Sequence, residues 1–186
     1  MDIKKVHSDT EERMKKAVEA ISRELSTIRT GRATTALLEG IKVDYYGTMT
    51  PINQIASISI PDPRLLVIQP WEKKMITEIA KAIQRSDLGL NPLTDANVVR
   101  LPIPPLTEER RKELVKIVKR IAEEGKIAVR NIRRDANEKF KQAEKDKEIS
   151  EDESRKAQEN VQELTDKFIE QIDELFNKKE KEVMEI

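Results

Sequence analysis

One feature constrains this chain more than any other. A seven-residue apolar repeat stops, gives way to a different pattern, and then resumes. Met14, Val18, Ile21, Leu25 and Ile28 recur at spacings of 4, 3, 4 and 3, which puts them in one stripe along one helix. The rhythm returns after Pro104-Pro105 and runs almost to the C-terminus. The interval between holds six of the eight prolines and four of the five glycines, and its apolar residues alternate with period two. A lone helix of that length cannot bury its stripe, so it must pack on the helices beyond residue 105. The interval is then an inserted domain tethered at two neighbouring points, a layout that implies two rigid bodies on a double hinge.

The expected fold class is α+β, mostly α: an elongated three-helix bundle (1–29 plus 105–186) with an inserted small β/α/β domain (30–104). The first helix should start near Ser8-Asp9 and end at Arg29-Thr30-Gly31, with Gly31 just past its last turn. In the insert, Ile41, Val43 and Tyr45 alternate as a half-buried strand, and Gly47-Thr48 gives a turn. Ile58 and Ile60 suggest a second strand and Leu65–Ile68 a third. Met75, Ile76, Ile79, Ala80 and Ile83 form an amphipathic helix, and Val98 to Ile103 a last strand. Trp71 reads as core of this domain. The second long helix opens with Thr107 as N-cap. Its stripe is Leu114, Val118, Ile121, Gly125, Ala128, Ile132, Ala136, Phe140 and Ala143, with small residues mid-stripe where a neighbour can approach closely. Ser150 to Glu153 reads as a capping box opening the third helix. That helix carries Ala157, Val161, Leu164, Phe168, Ile172 and Leu175, with Met184 and Ile186 near the end of its stripe.

Charged residues make up 38% of the 186 residues and aromatics 3%, the profile of long exposed helices and not of a large enzyme core. There is no cysteine, so disulfides and thiolate metal sites are excluded. The N-terminus lacks an apolar targeting segment, and no run approaches the ~20 apolar residues of a membrane span. The expectation is a soluble cytoplasmic protein that engages no membrane. His7 is the one histidine, so Ser/His/Asp and multi-histidine metal chemistry have no basis. Gly125-Lys126 lacks the earlier glycine of a phosphate-binding loop. No enzyme activity and no cofactor are expected.

Net charge is zero, but it is unevenly spread. Residues 110–134 hold 10 basic and 3 acidic side chains, a local +7, and residues 135–186 hold 10 basic and 17 acidic, a local −7. Within the basic stretch Lys126, Arg130, Arg133, Arg134 and Asn137 should share one outward face of the second long helix, with Ala128, Ile132 and Ala136 turned inward. A guanidinium fork suits phosphate, and Asn can bond phosphate or base edges. Arg110 and Arg111 lie at the start of the same helix, and Arg29 and Arg32 flank the other crossing. The competing reading is a solvated charged face on a helical co-chaperone or coiled-coil adaptor that binds protein only.

Several segments together resemble the bacterial ribosome recycling factor family across the whole chain. They are Ile28-Arg29-Thr30-Gly31-Arg32-Ala33, Asp87-Leu88-Gly89-Leu90-Asn91-Pro92, Pro104 to Leu114, Val129 to Asn137 and Asp146 to Glu153. Thr34-Thr35 stands where many members have Ser-Pro, and Ala96 where many have glycine. The resemblance implies a monomeric, non-enzymatic translation factor shaped like transfer RNA. It would bind the large ribosomal subunit after termination and, with elongation factor G and GTP, split ribosomes from messenger RNA. It implies ribosomal RNA contacts at Arg130 and Arg133 and, near the hinge, at Arg29 and Arg110. The inserted domain would receive elongation factor G. The hinge would comprise Thr30, Gly31 and Arg32 on one crossing and Pro102, Pro104 and Pro105 on the other.

Overall fold

The computed structural model describes residues 1–185. The chain divides into two units, one of residues 1–29 and 107–186 and one of residues 30–106.

The first unit is three long helices: α1 (Ile3–Ser26), α3 (Glu108–Lys145) and α4 (Glu151–Met184). Local chemistry sets most of their ends. Thr107 caps α3 by accepting from the Arg110 N–H at 3.1 Å, and Ser150 caps α4 by accepting from the Glu153 N–H at 3.1 Å. Helix α3 stops in a Schellman turn: the Glu148 N–H reaches the Ala143 carbonyl at 2.9 Å, and Lys147 takes the left-handed conformation at φ 59°. The α1 and α4 stripes meet α3 along one continuous apolar seam. Met14, Val129, Phe140, Val161 and Ile172 lie fully buried in it. Ile21, Leu25, Val118 and Ile121 close one end. Each such side chain contributes about 1.5–3 kcal/mol by leaving water.

Gly125 lets α1 approach closely. A Cβ placed there would lie 2.5 Å from Ile21 Cγ1 and 3.4 Å from Ile172 Cδ1. The small residue read mid-stripe is therefore required by the packing.

Three details of this unit differ from the sequence reading. Helix α1 begins at Ile3 with Asp2 as N-cap, so Ser8 and Asp9 are interior. Ile3 and Val6 pack against the bundle core, and the buried Thr10 hydroxyl donates to the Val6 carbonyl at 2.7 Å, which extends the helix past the capping signal. It ends at Ser26, short of Gly31. In α3, Val129 takes the fully buried position, while Ala128 is half-buried. At the C-terminus Val183 is buried and Met184 is 52% exposed, and Ile186 lies outside the described residues.

The second unit carries the sheets. β1 (Lys42–Tyr45) and β2 (Thr48–Pro51) form a two-stranded hairpin. Its turn residues Tyr46 and Gly47 sit at φ 52° and 85°, the sign pattern of a type I′ turn, and Asp44 accepts from the Gly47 N–H at 2.9 Å. β3 (Ala56–Asp62), β4 (Leu65–Pro70), β5 (Leu93–Thr94) and β6 (Val99–Pro102) form an antiparallel sheet in the order β3-β4-β6-β5. Helix α2 (Met75–Arg85) lays Ile79 and Ile83 onto it, against a fully buried set of Leu66, Ile68, Val99 and Leu101. The short strands β2 and β5 are additional to the strands expected from the sequence. Neither has a buried stripe to announce it, since β5 is exposed and β2 exposed or half-buried. Trp71 is a correction: it stands 68% exposed and not in the core. Pro70 beside it is buried as the last residue of β4, and the alternation of the strand then turns Trp71 outward.

Candidate nucleic-acid interface

Helix α3 positions the basic residues, and its neighbours decide what each can do. Arg130, Arg133 and Asn137 recur at spacings of 3 and 4, so one side of the helix carries all three. All are half-buried, while Arg134 beside them is exposed. Among the described residues Arg130 and Arg134 make no ion pair or side-chain hydrogen bond. Arg133 Nη1 donates to Gln162 Oε1 of α4 at 3.3 Å. The Asn137 Oδ1 atom is buried and accepts from nothing in the chain. Asp135, the one carboxylate between 125 and 137, is taken up by Arg13 of α1 at 3.1 Å. The arginine row therefore keeps its positive charge.

Lys126 departs from the outward reading. Its side chain is only 18% exposed, with Nζ 2.5 Å from Asp173 Oδ1 of α4 and 3.8 Å from Glu123 Oε1. It lies on the same side of α3 as Arg130 and Arg133, but at a level where α4 presents a carboxylate. At the start of α3, Arg110 is exposed and pairs with Glu113 at 2.9 Å, and Arg111 Nε is buried without a partner. Arg29 is exposed beyond the end of α1.

Both crossings between the units are tied to one turn of the inserted sheet. The Ala33 N–H donates to the Pro63 carbonyl and the Ile103 N–H to the Arg64 carbonyl, each at 2.7 Å. Gly31 has φ 76°, and a Cβ there would lie 3.1 Å from Leu106 Cγ, so glycine suits both backbone and space. Pro102 is paired with Leu65 inside the sheet, whereas Pro104 and Pro105 are exposed beyond it.

A chain with this pair of units and this arginine row matches known proteins from end to end. The family model "Ribosome recycling factor" matches residues 21–184. The ribosome-recycling factor of Nitratidesulfovibrio vulgaris (strain DP4) is 58% identical over 186 residues, covering 100% of both chains. That of Syntrophomonas wolfei is 58% identical over 184 residues, covering 99% of this chain and 100% of its own. The chain belongs to the ribosome recycling factor family.

A solution structure of a ribosome recycling factor superposes with a TM-score of 0.75 at 46% identity, covering 100% of this chain and 99% of that one. A second solved relative has a TM-score of 0.65 at 47% identity, with full coverage of both chains. It comes from models of the T. thermophilus ribosome recycling factor and E. coli elongation factor G bound to the E. coli post-termination complex. The fold class read from the sequence is that of these recycling-factor structures. Among the described residues no helix is long and apolar enough to cross a membrane, and no group of three or more His, Cys, Asp or Glu could hold a metal.

The sequence reading missed the cross-helix partners of the polar residues on α3. Gln162, Asp173 and Arg13 each act from another helix on an α3 residue. Their heptad positions were available, but which of them would reach across depends on helix register. The reading also missed an exposed polar-aromatic cluster on the inserted unit. Tyr45 and Tyr46 donate to the two carboxylate oxygens of Glu72 at 2.8 and 2.5 Å, and Lys74 Nζ lies 4.4 Å over the Tyr46 ring. Chiefly the Tyr46 hydroxyl, then that of Tyr45, holds the Glu72 carboxyl below its ordinary range.

Proposed function

We propose that this protein binds the large ribosomal subunit after termination through α3 and, with elongation factor G and GTP, splits ribosomes from messenger RNA into subunits for reuse. It does this without catalytic residues or a cofactor of its own, in the cytoplasm. The observation that carries the reading is an arginine row left unneutralised on a chain that matches recycling factors along its full length. Support for the two partners comes from the solved relative described with elongation factor G on a post-termination complex.

Arg130, Arg133 and Arg134 are the proposed phosphate ligands, with Asn137 beside them and Arg29, Arg110 and Arg111 as a second group near the crossings. A guanidinium grips phosphate through two parallel N–H bonds, which sets orientation as well as affinity. The inserted unit is the proposed lever on which elongation factor G acts. Ala33 and Ile103 are pinned to the sheet, so the pivot falls on Thr30, Gly31 and Arg32 and on Pro104 and Pro105. Pro102 belongs to the lever itself.

Sedimentation of ribosomes with this protein, elongation factor G and GTP, scored for free subunits, tests the reading. Arg133→Ala should keep the fold, as surface substitutions usually do. It should cost roughly 1.5–3 kcal/mol of binding, about 10- to 150-fold in affinity. Arg133→Lys should recover only part, since an ammonium makes no bidentate contact. Wild-type affinity and salt dependence in Arg133→Ala would move the RNA-binding face elsewhere.

A further inference from the structure

The cations of α3 do not all meet the same kind of neighbour on α4. Lys126, Arg130, Arg133 and Asn137 recur at spacings of 4, 3 and 4 on one side of α3. Gln162, Asp166, Ile169 and Asp173 recur at the same spacings on α4. The two helices are antiparallel, since Lys126 meets Asp173 while Arg133 meets Gln162. At one level α4 offers a carboxylate, and at the other an uncharged amide.

The chemical consequences differ. The Lys126 ammonium is only 18% exposed and has a carboxylate at 2.5 Å and a second at 3.8 Å, so a phosphate could claim it only in competition with carboxylates already in contact. Arg133 gives one of its five N–H donors to a neutral carbonyl oxygen. Its charge and the other donors remain for a phosphate. The amide is itself held, because Gln162 Nε2 donates to Asp166 Oδ1 at 2.9 Å. That bond turns Oε1 towards the guanidinium and keeps the Asp166 charge one link further from Arg133.

We infer that Gln162 is a positioning residue for ribosomal RNA binding: it aims the Arg133 guanidinium without neutralising it, and Asp166 fixes the amide in the orientation this requires. The inference rests on the reading of Arg133 as a phosphate ligand. It explains why an amide serves at this level of the seam. A carboxylate would bind Arg133 more strongly and compete with phosphate for it. An apolar side chain would leave the guanidinium unaimed.

Equilibrium binding of the full-length protein to large ribosomal subunits, over a salt series and beside thermal unfolding, tests this. Gln162→Glu sets a carboxylate against Arg133. It should weaken binding about 10-fold and flatten the salt dependence by roughly one phosphate contact, with the melting temperature unchanged. Gln162→Met keeps the length without the polar atoms. It should weaken binding by a smaller factor, about 3-fold, and leave the salt slope at the wild-type value. Wild-type affinity in Gln162→Glu, or a loss of affinity that merely follows a loss of melting temperature, overturns the inference. Arg133→Ala measured alongside separates the two claims. If it binds weakly while Gln162→Glu binds normally, only the positioning role falls. If Arg133→Ala itself binds normally, the phosphate reading falls first.

Discussion

In the three-helix unit nearly all buried side chains can be read along a single helix, Ile149 in the α3–α4 connection apart, whereas in the inserted unit the core is assembled from many short pieces. Met14, Val18, Ile21 and Leu25 follow one another on α1 and meet equally regular stripes on α3 and α4. In the insert, Val43, Ile52, Leu66, Ile79 and Leu101 come from two strands of one sheet, a strand of the hairpin, a 3-10 turn and a helix. The first arrangement has a continuous seam with polar contacts spanning it, and that is where the unneutralised arginines lie. The second has a closed core and puts its two tyrosines and its one tryptophan at or near the surface. Each unit has its own apolar cluster, so the two should respond separately to damage.

The strongest way to break that comparison is to open a cavity in one unit and watch the other. Phe140 is fully buried in the helical core. Phe140→Ala should cost about 3–5 kcal/mol there. Isoleucine methyl NMR should show the Ile52, Ile68 and Ile79 signals of the insert unmoved. Shifts of those signals as large as those in the bundle would mean that the cores are coupled.

A smaller effect is expected from overfilling the same seam. Gly125→Val places its Cβ against Ile21, which is itself 7% exposed and has little room to yield. Overpacking should cost about 1–3 kcal/mol, read as a lower urea midpoint of the helical signal. An unchanged midpoint would show that α1 moves aside freely, and the close approach would lose its meaning.

Lys147 should respond in the opposite direction. It holds φ 59° at the end of α3, a conformation that costs an L-residue roughly 1–2 kcal/mol and glycine almost nothing. Lys147→Gly should therefore stabilise the helical unit by somewhat less than that, with glycine's extra freedom in the unfolded chain offsetting part. A lower melting temperature would show that the lysine side chain contributes more than its backbone strain removes.

The smallest effect belongs to the insert. Asp95 accepts from the Asn97 and Val98 N–H groups at 2.8 and 2.9 Å and pairs with Arg100. The Asn97 N–H first, then that of Val98 and the Arg100 guanidinium, lower its carboxyl to about 2. Folding thus favours the ionised form. The contribution is complete above the ordinary value of 3.8 and disappears as pH falls through about 2. Between those values wild type should lose slightly more stability than Asp95→Asn, with the difference confined to signals of the insert. Parallel pH profiles for the two proteins would remove the effect.

The long-helix half of the fold and the arginine row were legible because the information is local. A stripe at spacings of 3 and 4, a Thr or Ser at the N-cap and a glycine facing a neighbour each declare themselves within a few residues. Thr107, Ser150 and Gly125 behave as read. The insert was legible in its buried strands and helix, and less so in β2 and β5. An exposed strand of two to four residues has no apolar period, and its existence depends on the strand it pairs with.

By itself the sequence determined three helical stripes, a sheet with one covering helix, and a concentration of arginine on α3. Periodicity and capping are properties of neighbouring residues, so they survive without knowledge of the rest. Tertiary structure decided that α1 begins at Ile3, that Val129 and not Ala128 fills the seam, and that Trp71 faces water. It also decided that Lys126 is bound to Asp173 while Arg133 meets Gln162. Those outcomes turn on which side chain of a distant helix or strand arrives within hydrogen-bonding or van der Waals distance. That is fixed by the register of packed elements, which no single stretch of the chain encodes.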